Sequence, residues 1–178
     1  MKTGFELDPN EQVIETVYRH WIDLFPIIFS STFLGLFVVA LAYVYGRYNS
    51  YFSFIPAVVI TVLAVVLLTL AAIFLLLGLW IYRQNRLMIT NMHLIQIEQV
   101  GLFNRRVSQL SLARVQDVSG RRTGLLATLL DYGDVEIQSA GEEEKFVFRN
   151  APQPQELSDN CLDAHEKFIS DNPNRELP

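Results

Sequence analysis

Cysteine and charge are both scarce in this sequence, and each scarcity narrows the class of protein. The single cysteine, Cys161, excludes an internal disulfide and agrees with a reducing compartment. Charged residues make up 19% of the chain, below the ~25% of a typical soluble protein. The deficit lies in two stretches, residues 24–46 and 48–82, that contain no charged side chain. Buried core helices rarely run so far without a charge, so an entirely soluble protein is not expected.

The two charge-free stretches predict a helical hairpin that spans a membrane. About 20 apolar residues suffice, because ~30 Å of hydrocarbon is crossed at ~1.5 Å per residue. We place the spans at 24–46 and 54–82, an external turn at 47–53 and a juxtamembrane segment at 1–23. Acidic residues precede the first span, unlike the basic start of a signal peptide. The aromatic residues expected at headgroup depth are Trp21, Trp80 and Tyr82.

Basic residues near the spans predict the orientation. One, Arg47, lies in the turn, and four lie on the opposite side: Lys2, Arg19, Arg83 and Arg86. The positive-inside rule therefore predicts a multi-pass protein of the inner or plasma membrane with both termini in the cytoplasm.

The segment before the first span has two interpretations. Asp8, Pro9 and Glu11 are typical of a helix start, and Val13 and Val17 share a helical face, which together favour an amphipathic helix at the membrane surface. The β-branched run "VIETVY" leaves a strand as the alternative.

Residues 83–172 are expected to form one small cytosolic domain, followed by a tail at 173–178. Six segments alternate apolar and polar residues, from "RLMIT" to "EKFVFRN", with a hairpin expected around Gly141; this pattern indicates antiparallel sheets. "GLLATLL", residues 124–130, is expected to be a buried plug, with membrane packing or protein contact as alternatives. A terminal amphipathic helix should then cover the sheets through Leu157, Cys161, Ala164 and Phe168.

The segments "ITNMHLI", "LARVQDV" and "YGDVEI" resemble membrane-anchored members of the bacterial pleckstrin-homology-like (PH-like) domain family. The resemblance implies an α+β membrane protein: a two-helix transmembrane hairpin, then an antiparallel β-barrel or sandwich of about seven strands, capped by a C-terminal α-helix. It also implies a tendency to oligomerise. Relatives of the fold bind phosphoinositides through basic residues around the loop joining the first two strands. That loop is expected here to be "TNMH", which has no Lys or Arg, so no specific phosphoinositide is expected.

No pattern in the sequence indicates catalysis. The three histidines lie on separate elements, and CxxC, HExxH and P-loop motifs are absent. The spacing of Asp131, Asp134 and Glu136 fits turn and strand positions rather than a calcium loop. We therefore predict a protein that is not an enzyme, with no catalytic, cofactor-binding or metal-binding residues.

Charge is unevenly distributed along the predicted domain. Residues 83–122 contain seven arginines and two acidic residues, whereas residues 123–178 contain four basic and twelve acidic residues. Possible contacts with an anionic membrane surface are Arg83, Arg86, Arg105 and Arg106. The alternative is that these arginines are simply solvated and set the topology. Nucleic-acid binding is disfavoured, because aromatic residues do not interleave with the basic ones.

These observations favour a non-enzymatic membrane-anchored PH-like module that acts as a protein-binding or self-assembly platform at the inner face of the membrane. Its expected partners are membrane lipids and either further copies of itself or another membrane protein. One alternative is a sensor of anionic lipid surfaces. A second is an accessory subunit of a transport complex, although neither predicted span contains an ionisable residue.

Overall fold

The computed structural model of the chain describes residues 10–48, 56–139 and 146–172. The chain divides into two compact units: one contains the residues up to His20 together with those from Arg83 onward, and the other contains residues 21–82. Most of the turn predicted at 47–53, the hairpin tip around Gly141 and the tail at 173–178 lie outside the described residues.

The unit formed by residues 21–82 contains two long helices. A 3-10 helix, Trp21–Leu24, leads into α1, Phe25–Arg47, and α2 covers Ala57–Gln84. Their 23 and 28 residues correspond to roughly 35 and 42 Å of helix. Both helices are long and apolar enough to cross a membrane, and their apolar side chains are mostly exposed, unlike those of a soluble core helix.

A glycine allows α1 and α2 to approach each other. A Cβ added at Gly78 would lie 2.7 Å from Cγ2 of Ile27, so a larger residue at position 78 would push the helices apart. Elsewhere between the two helices lies an apolar cavity of about 250 Å³, lined by residues that include Val38, Leu41, Leu63 and Leu67.

The other unit is built on two antiparallel sheets. The first contains, in spatial order, β1 (Val13–Tyr18), β2 (Arg86–Thr90), β3 (His93–Gln99) and β4 (Arg105–Ser111). The second contains β5 (Val115–Arg121), β6 (Tyr132–Ser139) and β7 (Phe146–Pro152). A short helix, α3 (Leu125–Leu129), joins β5 to β6, and α4 (Pro154–Asp171) ends the unit. The predicted α+β fold class is confirmed, as a sandwich rather than a closed barrel.

The N-terminal segment is a strand, so the preferred prediction of an amphipathic helix is wrong. β1 pairs with β2 along its length, from Val13 opposite Thr90 to Tyr18 opposite Arg86, and Val17 packs against the core. A helix of this length is marginal in water by itself, whereas β-branched residues suit a half-buried strand. Pairing with β2, which follows the two helices in the chain, therefore decides the conformation of this segment.

This pairing changes which loop joins the first two strands. "TNMH", residues 90–93, connects β2 to β3, so its assignment to the first loop is wrong. β1 and β2 are instead connected by residues 19–85, which contain both long helices. The helical unit is therefore an insertion between two neighbouring strands of one sheet.

The end of β1 also meets the second sheet. The backbone N–H of His20 donates to the carbonyl oxygen of Asn150 at 2.6 Å, and its ring stacks on Tyr132 with ring centres 5.1 Å apart. These contacts join β1 to the β6–β7 sheet at the point where the chain leaves for α1. The sandwich is thereby closed at the corner opposite the β4–β5 connection.

Helix α4 covers the sandwich with its predicted apolar face. Leu157, Cys161 and Phe168 are buried in one cluster with Leu87 and Phe148 from the two sheets. α4 packs mainly on β5. A close backbone approach fixes this packing, because a Cβ at Gly120 would overlap the carbonyl oxygen of Pro154. The predicted covering helix is therefore confirmed.

The apolar segment between β5 and β6 is not a buried plug, so that expectation is wrong. In α3 only Ala127 is buried, whereas Leu125, Leu126 and Leu129 are exposed. A five-residue helix presents a single face inward, and the small Ala127 occupies it.

We predict that Gly120→Ala destabilises the sandwich. The added methyl would overlap backbone atoms at the start of α4, which cannot move independently, so the free energy of unfolding should fall by about 1–3 kcal/mol. Urea unfolding of the full chain in detergent measures this change. Gly101→Ala is the matched control, because a Cβ there meets no atom within 4 Å. Equal stability of the two variants would contradict the predicted close approach.

Candidate functional site

A polar cleft opens between the two sheets beside β4. Its volume is about 800 Å³, and it is lined by β3, β4, the end of β6 and the start of β7. The lining side chains that carry polar or charged groups include Gln96, Glu98, Arg106, Ser108, Ser139 and Arg149.

One glutamine links the two sheets beside this cleft. Gln96 on β3 is buried, and its side-chain amide donates to the carbonyl oxygen of Val147 on β7 at 3.1 Å. A buried amide with a hydrogen-bond partner is stable, whereas an unpaired one would be costly. Gln96 therefore fixes the spacing of β3 and β7 at the cleft.

The cleft carries a net positive charge. Arg106 and Arg149 are exposed on its walls. The acidic residue of the lining, Glu98, is paired with Arg19, whose Nη2 lies 2.9 Å from Glu98 Oε1. Glu98 also stands opposite Arg106 in the β3–β4 register. The lining therefore carries two arginines and one glutamate, whose charge Arg19 compensates, and this balance favours an anionic ligand group.

β4 forms one wall of the cleft and is an outer strand. Among the described residues its strand partner is β3, and the pairing runs without a break from His93 opposite Ser111 to Gln99 opposite Arg105. The pairings of the other outer strands, β1, β5 and β7, each contain a register shift. β4 is therefore the most regular outer edge of the two sheets.

The structure brings most of the predicted membrane-contact residues to one end of the first sheet. Arg86 begins β2, opposite Ile97, and Arg105 begins β4, opposite Gln99, with Arg106 beside it. Arg83 is exposed in the last turn of α2, three residues before Arg86. Their contact with a membrane remains a prediction.

Arg19 and Arg149, which contribute to the charge in and beside the cleft, were not identified from the sequence as cleft residues, because only the folded chain brings them there.

The predicted interface aromatics lie at corresponding ends of the two helices. Trp21 is exposed at the start of the 3-10 helix before α1, and Trp80 is exposed near the end of α2, with Tyr82 half-buried. These ends are the ones connected to the sheet unit. Their position at headgroup depth likewise remains a prediction.

A second polar cluster holds the N-terminal segment to the β2–β3 turn. The buried Glu11 carboxylate accepts a hydrogen bond from the Thr90 hydroxyl at 2.6 Å and lies 3.0 Å from Nδ1 of His93. Asn91 Oδ1 accepts from the backbone N–H of Gln12 at 2.8 Å. Thr90 is fully buried and is bonded to the carboxylate rather than to the imidazole, so it is not arranged as a nucleophile. The cluster has a structural role.

No residues in the described ranges form a group of three or more His, Cys, Asp or Glu side chains that could hold a metal ion. Cys161 is buried in the core below α4. Burial, and next the nearby Glu15 carboxylate, raise the pKa of its thiol from 9.0 to about 12. Cys161 is therefore an unreactive core residue.

We predict that Cys161 of the folded chain reacts with a maleimide roughly a thousandfold more slowly than an ordinary thiol, because so little thiolate is present. A cysteine introduced at the exposed Gln116 of a Cys161→Ala chain is the control. The raised pKa also means that the folded state retains a proton that the unfolded state loses. The contribution of this thiol to the free energy of unfolding is therefore complete below pH 9 and is lost as the pH rises toward 12. Equal labelling rates in the two folded chains would contradict the assignment.

Comparison with known proteins gives one result. The family model described as bacterial PH domain matches residues 23–165, a range that includes all of both long helices, β2–β7 and much of α4. β1 precedes the matched range. No curated protein and no solved structure matches the chain.

Proposed function

Because the chain belongs to the bacterial PH domain family, we propose that it is a non-enzymatic, membrane-anchored module that binds an extended segment of a protein partner along β4. α1 and α2 are the anchor, and the excess of basic residues beside their connected ends favours a cytoplasmic location of the sheet unit. The observation that carries the proposal is the regular outer edge of β4 beside the polar cleft.

The edge of β4 suits the addition of another strand. An extended peptide can pair with the outer backbone groups of a sheet edge, and alternate side chains then enter pockets beside it. Seven consecutive residue pairs without a bulge keep the β4 backbone regular over its length. The other outer strands are less suitable, because register shifts interrupt the pairings of β1, β5 and β7, and α4 packs against β5.

Charge indicates the chemistry of the partner. Arg106 and Arg149 flank the cleft, and Arg19 neutralises Glu98. A carboxylate on the incoming segment would accept charge-assisted hydrogen bonds from these guanidinium groups. The partner segment is therefore extended and acidic. It belongs to another membrane protein or to a second copy of this chain, whose residues after position 122 are strongly acidic.

A sensor of anionic lipid surfaces is the second candidate. Arg86, Arg105 and Arg106 lie at the same end of the first sheet, and each basic residue near an anionic surface contributes about 1 kcal/mol of attraction. This function predicts that the contacts of the sheet unit with vesicles strengthen with the fraction of anionic lipid and weaken as the salt concentration rises.

We predict that a photo-reactive amino acid at Ser108 on β4 captures a specific protein in native membranes. The same amino acid at Glu166, on the exposed face of α4, is the control. Mass spectrometry then separates the outcomes: a different protein identifies an adaptor, and a second copy identifies self-assembly. Equal capture at Ser108 and Glu166, or capture of lipid alone, would contradict a protein-binding edge.

Charge reversal in the cleft tests the partner chemistry. Arg106→Glu combined with Arg149→Glu should lower capture at Ser108 by about tenfold or more, since each charge-assisted hydrogen bond contributes ~1.5 kcal/mol or more. Arg114→Glu, which changes an exposed arginine away from the cleft, is the matched control and should leave capture unchanged. Unchanged capture in the double variant would rule out an acidic partner segment.

A further inference from the structure

The loop between β3 and β4 exposes three apolar side chains close together in the sequence. Phe103 is 98% exposed, the largest fraction for any large apolar side chain in the described residues, and Val100 and Leu102 are exposed at 65% and 44%. Single exposed apolar residues are common and need no explanation. Three exposed apolar side chains within four consecutive residues, one of them an almost fully exposed phenylalanine, indicate a surface that is covered in the functional protein.

The loop lies at the end of the first sheet where the chain departs for the helices. In this antiparallel sheet, Tyr18 at the end of β1 stands opposite Arg86 at the start of β2. Gln99 at the end of β3 stands opposite Arg105 at the start of β4. The loop, residues 100–104, therefore shares its end of the sheet with both connections to the helical unit.

A pair of hydrogen bonds ties this loop to the residue that follows α2. Asn85 is buried; its Oδ1 accepts from the backbone N–H of Gln99 at 2.9 Å, and its Nδ2 donates to the carbonyl oxygen of Gln99 at 3.3 Å. The loop is itself closed by the N–H of Val100, which donates to the carbonyl oxygen of Asn104 at 2.9 Å, and by the Gln99 amide, which donates to Gly101. Its apolar side chains are thus presented from a fixed backbone.

The distance along the chain brings the loop within reach of the headgroups. Tyr82 ends the charge-free stretch, and Asn85 follows three residues later, at most about 10 Å of chain. The polar layer on each side of a bilayer is itself about 5–8 Å thick, given a total of ~40–45 Å and a core of ~30 Å. A loop held at the level of Asn85 can therefore place a phenylalanine side chain in this layer.

We propose that residues Val100–Phe103 insert into the interface of the bilayer that α1 and α2 cross, with Phe103 deepest and Arg105 and Arg106 at the level of the lipid phosphates. The inference rests on the membrane anchoring in the proposed function. The occupant of this surface is lipid because the loop lies beside the helix connections and is followed directly by two arginines. The insertion adds a third point of attachment of the chain to the membrane.

The test measures the depth of position 103 in the full chain. A Cys161→Ala, Phe103→Cys chain carries an environment-sensitive fluorophore and is reconstituted in vesicles that contain anionic phospholipid and a lipid-borne nitroxide quencher. The control label is at Gln116, exposed near the start of β5, which adjoins the opposite end of the first sheet through residues 112–114. We expect blue-shifted, strongly quenched emission at position 103, and unshifted, weakly quenched emission at position 116.

Extraction of the same vesicles at alkaline pH separates the two possible failures. Loss of the chain from the vesicles would overturn the membrane anchoring and the insertion together. Retention of the chain with equal emission and quenching at positions 103 and 116 would overturn the insertion alone.

A second pair of variants tests the role of the phenylalanine. With the label at position 102, Phe103→Asp should reduce quenching and shift the emission toward that of the control position, whereas Phe103→Leu should preserve both. Both substitutions lie outside the core, because Phe103 is 98% exposed, so both chains should fold. Identical quenching in the two variants would overturn the proposed insertion of Phe103.

Discussion

The structure depends on the pairing of β1 with β2 across an insertion of two long helices. The register of this pairing, with Tyr18 opposite Arg86, brings both connections to the helical unit side by side at one end of a sheet. Contacts between Glu11 and Thr90, and between Gln12 and Asn91, fasten residues that are 79 positions apart in the chain. The strands by which the chain enters and leaves the helical unit are therefore neighbours in one hydrogen-bonded sheet.

This arrangement sets the geometry of the candidate surfaces. Because β1 and β2 occupy one side of the first sheet, β4 becomes its other edge, beside the cleft that contains Arg106 and Arg149. α4 packs against β5, which makes that strand less available as an alternative edge. The candidate cleft is thus linked to one of the helix connections. Glu98 on β3, which lines the cleft, pairs with Arg19, which follows β1 where the chain leaves for the helices.

Sequence patterns predicted the elements whose conformation is decided locally. The alternation of β2 and β3, the four-residue spacing of the buried face of α4 and the two long apolar helices all follow from period and composition. The conformation of residues 13–18 was mispredicted, because a partner strand that follows the helices overrides a local helical pattern. The exposure of Leu125 and Leu129 was also mispredicted, since composition cannot show which face of so short a helix meets the sheet. The cleft could not be predicted, because Arg19, Glu98 and Arg149 come from three distant strands or their ends.

The insertion of the helices between paired strands has a consequence for biogenesis. β1 leaves the ribosome before either helix is made, but its partner β2 exists only after both are complete. In a bilayer the two strands can meet only if the chain crosses an even number of times, because a single crossing would leave them in different compartments. A chain with only one of the two helices across a bilayer would therefore keep β1 unpaired and the outer edge of β2 exposed, so pairing of these strands requires that both helices cross or that neither does.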